Sequence, residues 1–503
     1  MATYTRKNVY NLGGTWSATI LWYARAVQAM QSRKLAEPLS WRFFAAIHGF
    51  NEPLWKSVGA FSASDKKPSA ALQKRFWKQC QHGSWYFLPW HRGYLMALEA
   101  TMRDFIVQQK GPKDWALPYW NYFGGGTENK LPPEFASPKW PDGTANNPLY
   151  VTRRFGPDNT GKNIYVPLDQ VDEDALTKPD FTGVASGGDP GFGGVDTGFE
   201  HGGTTHGDLE SQPHDMVHYF VGGPSRTNIG LMAYPDTAGL DPIFYLHHSN
   251  IDRLWEVWLR EPTSLGNPTE KQWLDGPASI GERAFSMPMP PQGKGWDYAP
   301  KDVAKLAALD YTYDDLAAPA AAATTAMRLA ALGAPAAKRA AKGGAAMPRS
   351  RNVELLGASE QPMRIVGKKE VRAAVHLDTA KRKKVVTSLA AVRTGAAAEP
   401  DRVFLNLENV RGLNDATAFE VYVKDRRAGS VALFGVSKAT NADDEHAGQG
   451  LTFVIEITKI VDELHLNNAL DVNSLDVRIV PLNEVAEEDK ITIGRISIFR
   501  QGA

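Results

Sequence analysis

Residues 80–99 read Cys-Gln-His-Gly-Ser-Trp-Tyr-Phe-Leu-Pro-Trp-His-Arg-Gly-Tyr-Leu-Met-Ala-Leu-Glu. His82 and His91 enclose an aromatic turn that ends in Pro89 and Trp90. After His91 the apolar residues recur at helical spacing, which predicts one imidazole in a packed loop and the other at the start of a buried helix. Such an arrangement can direct both imidazoles towards one point. Residues from elsewhere in the chain must then complete this site.

Further histidines at ligand spacing lie in the same half of the chain. They are His48 at the end of a predicted helix, the pair His214 and His218, and the adjacent pair His247 and His248. Side chains four residues apart share one helix face, and helix bundles build metal sites from inward-facing side chains. The pattern predicts a helical bundle with a metal site in its core. The histidines that have no partner at ligand spacing receive no role: His201, His206, His376, His446 and His465.

The donor set narrows the choice of metal. Imidazole ligands suit copper and zinc, whereas di-iron bundle sites need several carboxylates. The run from His214 to His218 superficially resembles the zinc-protease motif His-Glu-x-x-His, but Asp215 is shorter than the required glutamate. A single zinc ion would also leave three histidines unexplained. Two sets of three histidines fit two copper ions, which together can activate O2 for an oxidation.

The composition is that of an ordinary globular protein. The 503 residues are 43% hydrophobic and 22% charged, and the formal net charge is zero. A balanced charge implies no nucleic-acid partner, and the single cysteine excludes an internal disulfide framework. The N-terminus lacks the apolar region of a signal peptide, and no uncharged run approaches membrane length. We therefore expect a cytoplasmic protein with no membrane partner, with export alongside a partner protein left open.

The distribution of residues predicts two domains. All 14 tryptophans lie before residue 300 and nine of the 12 histidines lie before residue 250. Residues 316–350 are rich in alanine and read as a linker that exposes basic residues to proteases. Short alternating runs then predict an antiparallel β-sandwich or barrel. The expected domains are a mainly α catalytic domain at 1–315, the linker at 316–350 and a β-rich domain at 351–503.

These motifs resemble those of the tyrosinase and polyphenol oxidase family of type-3 copper proteins. The first copper signature of that family is matched by His82, the run from Phe87 to Arg92, Leu95 and Glu99. The second is matched by Asp241, Pro242, Phe244, His248 and Asp252. The resemblance covers roughly residues 10–315, and Tyr311-Thr-Tyr313 is similar to the motif that ends the family's catalytic domain. It implies a four-helix bundle around a dicopper site, with long loops.

The resemblance implies which histidines hold copper. By position, the first ion would be held by His48, His82 and His91, and the second by His214, His218 and His248. His247 would be a neighbour of the ligands. Cys80 is two residues before His82, the spacing at which some family members form a Cys–His thioether; an ordinary buried thiol is the alternative.

The resemblance also suggests roles for residues around the metals. Glu210 matches a glutamate that holds a water near the second copper and helps to take the phenol proton, although it could simply be a helix N-terminal charge. Asp215 stands where many tyrosinases have asparagine, a position linked to monophenol activity. Phe244 is expected to pack against the ligands. Arg92 and Asp252 are expected to support the ligands or pair the helices.

The activity implied is that of a bacterial tyrosinase with a plant-type C-terminal shielding domain. Such an enzyme uses O2 to hydroxylate monophenols and to oxidise o-diphenols to o-quinones, which couple to melanin-like polymers. The C-terminal domain would keep it latent, so the intact chain should be less active than one cut in the linker. Alternatives are a catechol or o-aminophenol oxidase without monophenol activity, and a haemocyanin-like oxygen carrier. The sequence leaves a homo-oligomer open.

Overall fold

The protein consists of a helical domain followed by a β domain. The computed structural model describes residues 4–225, 227–317, 325–333, 352–394, 399–441, 448–467, 469–470 and 473–502. Most of the predicted linker 316–350, and His446, lie outside these residues. The α-helices of the described residues are α1 Ala18–Gln31, α2 Trp41–His48, α3 Glu52–Ser57, α4 Ala70–Phe76, α5 Phe87–Gln108, α6 Pro133–Ala136, α7 Met216–Gly222, α8 Pro235–Ala238, α9 Pro242–Trp258, α10 Lys271–Asp275, α11 Pro300–Val303, α12 Thr325–Ala331, α13 Thr379–Arg393, α14 Val436–Thr440 and α15 Thr458–Leu466. None of them is both long and apolar enough to span a bilayer.

The strands fall into two short pairs and one large sheet. They are β1 Tyr4–Arg6, β2 Phe285–Met289, β3 Lys294–Tyr298, β4 Tyr311–Tyr313, β5 Val353–Ala358, β6 Met363–Arg364, β7 Val371–Leu377, β8 Arg402–Arg411, β9 Ala418–Val423, β10 Arg426–Ala432, β11 Leu451–Glu456, β12 Ser474–Pro481 and β13 Thr492–Gln501. Strand β1 pairs with β4 in parallel and β2 pairs with β3 antiparallel, both within the helical domain.

Helices α5 and α9 form the centre of the helical domain. Every residue of α9 is buried, and the Asp241 carboxylate caps its start by accepting from the backbone N–H of Ile243. Helix α1 begins at Ala18, and the Ser17 side chain caps it by accepting from the backbone N–H of Ile20. The positive φ of Trp16, 54°, keeps that residue out of the helix.

A buried ion network joins the two central helices. Nε of Arg92 on α5 donates to Oδ1 of Asp252 on α9 at 2.5 Å, and Nη1 of Arg6 donates to Oδ2 at 3.2 Å. The hydroxyls of Tyr311 and Tyr313 also donate to Oδ2 of Asp252. Asp252 therefore pairs the helices and ties strand β4 to them. Removal of its carboxylate would leave two buried guanidinium groups without their shared partner.

The large sheet of the β domain is antiparallel and closes almost into a barrel. Its strand order is β10-β9-β12-β7-β5-β13-β8-β11, with β6 paired to β13. Apolar side chains from most of its strands form a core separate from that of the helical domain. This confirms the predicted fold of a helical domain and an antiparallel β domain. Strands β5 to β7 and helices α13 to α15 were not predicted.

Charged groups contribute to the interface between the domains. Nζ of Lys178 in the helical domain lies 2.8 Å from Oε2 of Glu456 on β11. Arg402 on β8 pairs with Asp189 of the helical domain at 2.6 Å. Burial alone would raise the pKa of Glu456, but Arg402 and Lys178 outweigh burial and hold this pKa well below its usual range. Desolvated pairs of this kind give geometric specificity to the docked arrangement.

The described part of the predicted linker packs on the β domain. Nε of Arg328 on α12 donates to Oδ2 of Asp462 on α15 at 2.7 Å. Leu332 is buried among the apolar side chains of the β domain. Residues 325–333 thus contact the second domain and extend its surface.

Candidate metal centre

The first histidine group comes from one helix end, one loop and the first turns of α5. His48 ends α2, His82 lies in the loop before α5, and His91 lies on α5. Their ligand atoms and the sulfur of Cys80 lie within 4.8 Å of one another, and all four residues are buried. These three imidazoles are the ones predicted for the first metal ion.

The second group comes from α7, the segment directly before it, and α9. His214, His218, His247 and His248 present ligand atoms within 4.8 Å of one another, and all are buried. His214 lies in a π-helical segment, Glu210–Asp215, that precedes α7 and contains a residue with non-helical dihedral angles. Irregular π-helical turns of this kind are common at functional sites. The structure therefore brings together the three predicted ligands of the second ion, with His247 beside them.

Backbone hydrogen bonds set the direction of several imidazole rings. The Nδ1 atoms lie 2.8 Å from main-chain carbonyl oxygens in the pairs His48–Pro235, His91–Phe87 and His218–Met232. A ring that donates from Nδ1 to a carbonyl must carry its lone pair on Nε2. Among the described residues, the Nε2 atoms of His48 and His214 are buried without a hydrogen-bond partner. Inward-facing lone pairs without partners are what metal ligands require.

Burial keeps these imidazoles neutral. It lowers the pKa of His91 and His218 to about 3, and it lowers the pKa of His48, His82 and His214 well below the usual value. Neutral imidazole is the form that binds a metal. The rings of His91 and His248 stack with centroids 4.3 Å apart, so the two groups face each other. Two adjacent sets of buried, neutral imidazoles fit a pair of copper ions.

The two predicted acid–base residues are both buried beside the histidines. Both oxygens of Glu210 accept from the backbone N–H of Gly83 at 3.0 Å, next to the ligand His82. Oδ1 of Asp215 lies 2.9 Å from Nδ1 of His214. Asp215 therefore contacts the imidazole of a predicted ligand, whereas Glu210 contacts the backbone beside another predicted ligand, His82.

A histidine that was given no role lies between these carboxylates. Nδ1 of His206 lies 2.7 Å from Oδ2 of Asp215, and its Nε2 lies 3.8 Å from Oε1 of Glu210. Burial lowers the pKa of His206, but the two carboxylates outweigh burial and raise it to about 9. Sequence spacing missed this residue because the carboxylate that it contacts directly, Asp215, is nine positions away, and no other histidine lies at ligand spacing from it.

The single cysteine lies against the first histidine group. The sulfur of Cys80 is 3.5 Å from Nδ1 and 3.6 Å from Nε2 of His82, and 3.3 Å from Nε2 of His91. The sulfur is nearly equidistant from the two ring nitrogens of His82. It therefore lies close to the plane that bisects the line between these nitrogens, and this plane contains Cε1, the carbon bonded to both. Burial raises the pKa of the Cys80 thiol well above its usual value, which disfavours a thiolate ligand.

Phe244 packs against ligands of both groups. Its ring centroid lies 4.2 Å from that of His248 and 4.9 Å from that of His48. Arg92 and Asp252 lie behind the site in the ion network between α5 and α9. Phe244 therefore packs on the imidazoles, whereas Arg92 and Asp252 join the two helices that carry His91 and His248.

One side chain of the β domain lies over the histidines. The ring of Phe434, in the turn after β10, stacks on His218 with centroids 4.3 Å apart. It also meets His82 and His214 edge-on at 5.5 Å and 5.7 Å. Phe434 is 1% exposed. A phenyl ring thus occupies the face of the site that is shared by both histidine groups.

Neighbouring residues hold the Phe434 turn in place. Nζ of Lys438 on α14 lies 3.0 Å from Oδ1 of Asp236 and 3.0 Å from Nε2 of His201. Tyr234 donates from its hydroxyl to Oδ1 of Asn414 at 2.8 Å. The loop around Pro235 is therefore covered by the β domain.

The fold and site define a dicopper protein with a covering β domain, and comparisons with known proteins agree. Residues 38–261 match the family model described as the common central domain of tyrosinase, and residues 352–501 match a domain of unknown function. The chain is 31% identical over 522 residues to the tyrosinase HcTyr1 of Hahella sp. (strain CCB-MM4), with 99% of each chain covered. It is 28% identical over 270 residues to a chloroplastic polyphenol oxidase of Malus domestica, which covers 50% of this chain and 40% of that relative.

The chain belongs to the tyrosinase family of type-3 dicopper oxidoreductases. The structure of latent apple tyrosinase aligns with a TM-score of 0.61 at 20% identity and covers 99% of this chain and 97% of that one. That likeness extends over both domains and supports the same fold. The predicted family and the predicted pair of copper ions are confirmed.

Proposed function

We propose that this protein is a latent dicopper phenol oxidase that hydroxylates monophenols and oxidises o-diphenols to o-quinones. The observation that carries the proposal is the pair of buried imidazole groups that face each other under one aromatic cover. When bound, two copper ions supply the two-electron chemistry with O2. The protein residues supply the ligands, exclude water and handle the proton of the phenol.

Glu210 and Asp215 have different tasks in this proposal. Asp215 contacts an imidazole with each carboxylate oxygen, His214 through Oδ1 and His206 through Oδ2. It therefore orients rings and has little capacity left for a proton. Glu210 accepts from the backbone N–H of Gly83 and lies 3.8 Å from Nε2 of His206. We assign removal of the phenol proton to Glu210, directly or through a water.

The occupied carboxylate of Asp215 also favours a second candidate, a catechol oxidase without monophenol activity. A catechol has only to surrender two electrons, so it depends less on a free base than a phenol does. The two functions share the metal site and differ in their need for the proton acceptor. The two functions are therefore distinguished by whether Glu210 accepts the proton of a phenol.

Tyrosine and catechol separate these functions and the oxygen-carrier alternative. The copper-loaded chain, with its β domain removed after proteolysis, is mixed in air with each substrate, and quinone absorbance is followed. We expect quinone from both, with a Glu210→Gln variant losing activity on tyrosine by about 100-fold and on catechol far less. Oxidation of catechol alone would establish the second candidate. Reversible O2 binding with oxidation of neither substrate would overturn the proposal.

Latency is proposed from the position of Phe434. A phenol ring that approaches the metals must occupy the space above His218 where the phenyl ring of Phe434 now lies. Because the β domain is held by buried ion pairs, this ring blocks substrate until the domain moves. The block need only keep the open population at a few per cent or less to silence most of the activity.

A thioether between Cys80 and His82 is also proposed. Its formation would replace the S–H bond and one ring C–H bond by a C–S bond, with O2, the oxidant of the proposed reaction, taking up the two electrons and two protons. The bond would fix the ring of His82. After expression with copper in air, the tryptic peptide 79–92, which contains both Cys80 and His82, should be lighter by two hydrogen atoms and should resist thiol alkylation. A Cys80→Ser variant serves as control, and full alkylation of Cys80 in the active protein would contradict the bond.

A further inference from the structure

His206 lies where it can control the shape of the metal site without touching a metal. It is 4% exposed and donates from Nδ1 to Oδ2 of Asp215 at 2.7 Å. The other oxygen of Asp215 lies 2.9 Å from Nδ1 of His214. One carboxylate therefore joins the buried His206 to a residue assigned to the second copper ion.

The two oxygens of the Asp215 carboxylate contact two different imidazoles, those of His214 and His206. A carboxylate behind a metal-binding histidine fixes the tautomer and orientation of the ring and strengthens it as a ligand. Asp215 follows His214 directly in the chain, so its side chain must be held to present an oxygen to its neighbour's Nδ1. His206 supplies that hold, because a carboxylate bound at both oxygens cannot rotate freely.

We propose that His206 is a positioning residue of the dicopper site, which clamps Asp215 so that Asp215 directs His214 at the second copper ion. The proposal rests on the assignment of His214 as a ligand made above. Its own content is that the metal affinity of the second site depends on a histidine outside the ligand set.

The loop that carries His206 contacts the β domain. The backbone N–H of Thr452 on β11 donates to the carbonyl of Thr204 at 2.7 Å, two residues before His206. The ring of Phe453 lies 6.5 Å from the ring of His206. Because the β domain contacts the loop that carries His206, the test uses the intact chain.

The test measures copper retention. The intact, copper-loaded chain and its variants are dialysed against increasing EDTA, and copper per chain is counted. In His206→Ala we expect one of the two copper ions to be lost at about 10- to 100-fold lower EDTA than in the unchanged chain. His206→Asn keeps an N–H donor near the place of Nδ1 and should restore retention to within about threefold. His376→Ala, at an exposed position of β7, is the matched surface control.

A double-mutant cycle with Asp215→Asn separates the clamp from general support of the fold. If His206 acts through the Asp215 carboxylate, His206→Ala should have less than about a threefold effect on copper retention in the Asp215→Asn background. Thermal unfolding of the copper-free variants gives the readout for a purely structural role. Such a role would lower the unfolding temperature in both backgrounds alike.

Each result of these experiments supports the clamp, contradicts it, or contradicts the assignment of His214 as a ligand. Weaker retention of one ion in His206→Ala, rescue by asparagine and loss of the effect in Asp215→Asn support the clamp. Unchanged copper retention, failure of the rescue, or equal effects in both backgrounds would overturn it. If His214→Ala itself keeps both ions, the ligand assignment fails instead, and the two failures are distinguishable.

Discussion

Replacing Phe434 by alanine should raise the catechol oxidase activity of the intact, copper-loaded chain by at least about tenfold. The phenyl ring stacks on His218 and meets His82 and His214 edge-on, so its removal opens a space of the size of a substrate ring above both histidine groups. If the site is accessible in only a few per cent of molecules, access in most molecules gives a gain of this order. The measurement is kcat/KM for the intact chain, before and after removal of the β domain.

The control must distinguish the loss of the ring that covers the histidines from a general destabilisation of the β domain. Val477→Ala on β12 removes apolar atoms from the core of the β domain, far from the histidines, and should destabilise that domain by about 1–3 kcal/mol. We expect it to leave the activity of the intact chain low. Once the β domain is removed, all three proteins should have the same kcat/KM. Equal activation by Val477→Ala, or no activation by Phe434→Ala, would show that the ring is not the barrier.

A second expected result concerns the adjacent histidines of α9. His248→Ala should leave one copper ion per chain and reduce oxidation of catechol by at least about 1,000-fold, since a two-electron oxidation needs both ions. His247→Ala should retain both ions and most of the activity. The two residues are neighbours in sequence, both are buried and both present nitrogen atoms to the second group, so they form a matched pair.

His247 and His248 both lie in one group with His214 and His218. The contacts of their rings distinguish the two residues. Nε2 of His248 lies 3.4 Å from Nε2 of His218, and the ring of His248 stacks on His91 of the first group. The ring of His247 stacks instead on His214, at 5.3 Å and 23°. Copper counting by atomic absorption checks the assignment. Loss of copper from His247→Ala but not from His248→Ala would reverse it.

The sequence was sufficient for the helical metal site because its information is local. His214 and His218 share a helix face by spacing alone, and the start of α9 is marked by Asp241 and Pro242, whose capping chemistry is visible in the chain. Elements defined by periodicity and caps were therefore predictable.

Residues that act through tertiary contacts were not predictable. Phe434 lies in a turn after β10 and differs in no local way from other buried phenylalanines, so only domain docking shows that it covers the histidines. His206 gains its role from Asp215 through a loop without periodic spacing. Strand β7 reads Val-Arg-Ala-Ala-Val-His-Leu, and its small and charged side chains make a weak alternating pattern.

The docking of α12 on the β domain bears on how the covering domain can be detached. A cut in residues 334–351 severs the covalent link, but Arg328 and Leu332 would still bind the detached domain as a peptide arm of the helical domain. A cut in residues 318–324 leaves that arm with the β domain and removes one means of retention. The position of the cut, and not only the fact that the chain is cut, therefore affects how long the two domains stay together. Cleavage of the chain and exposure of the metal site become separate events in time.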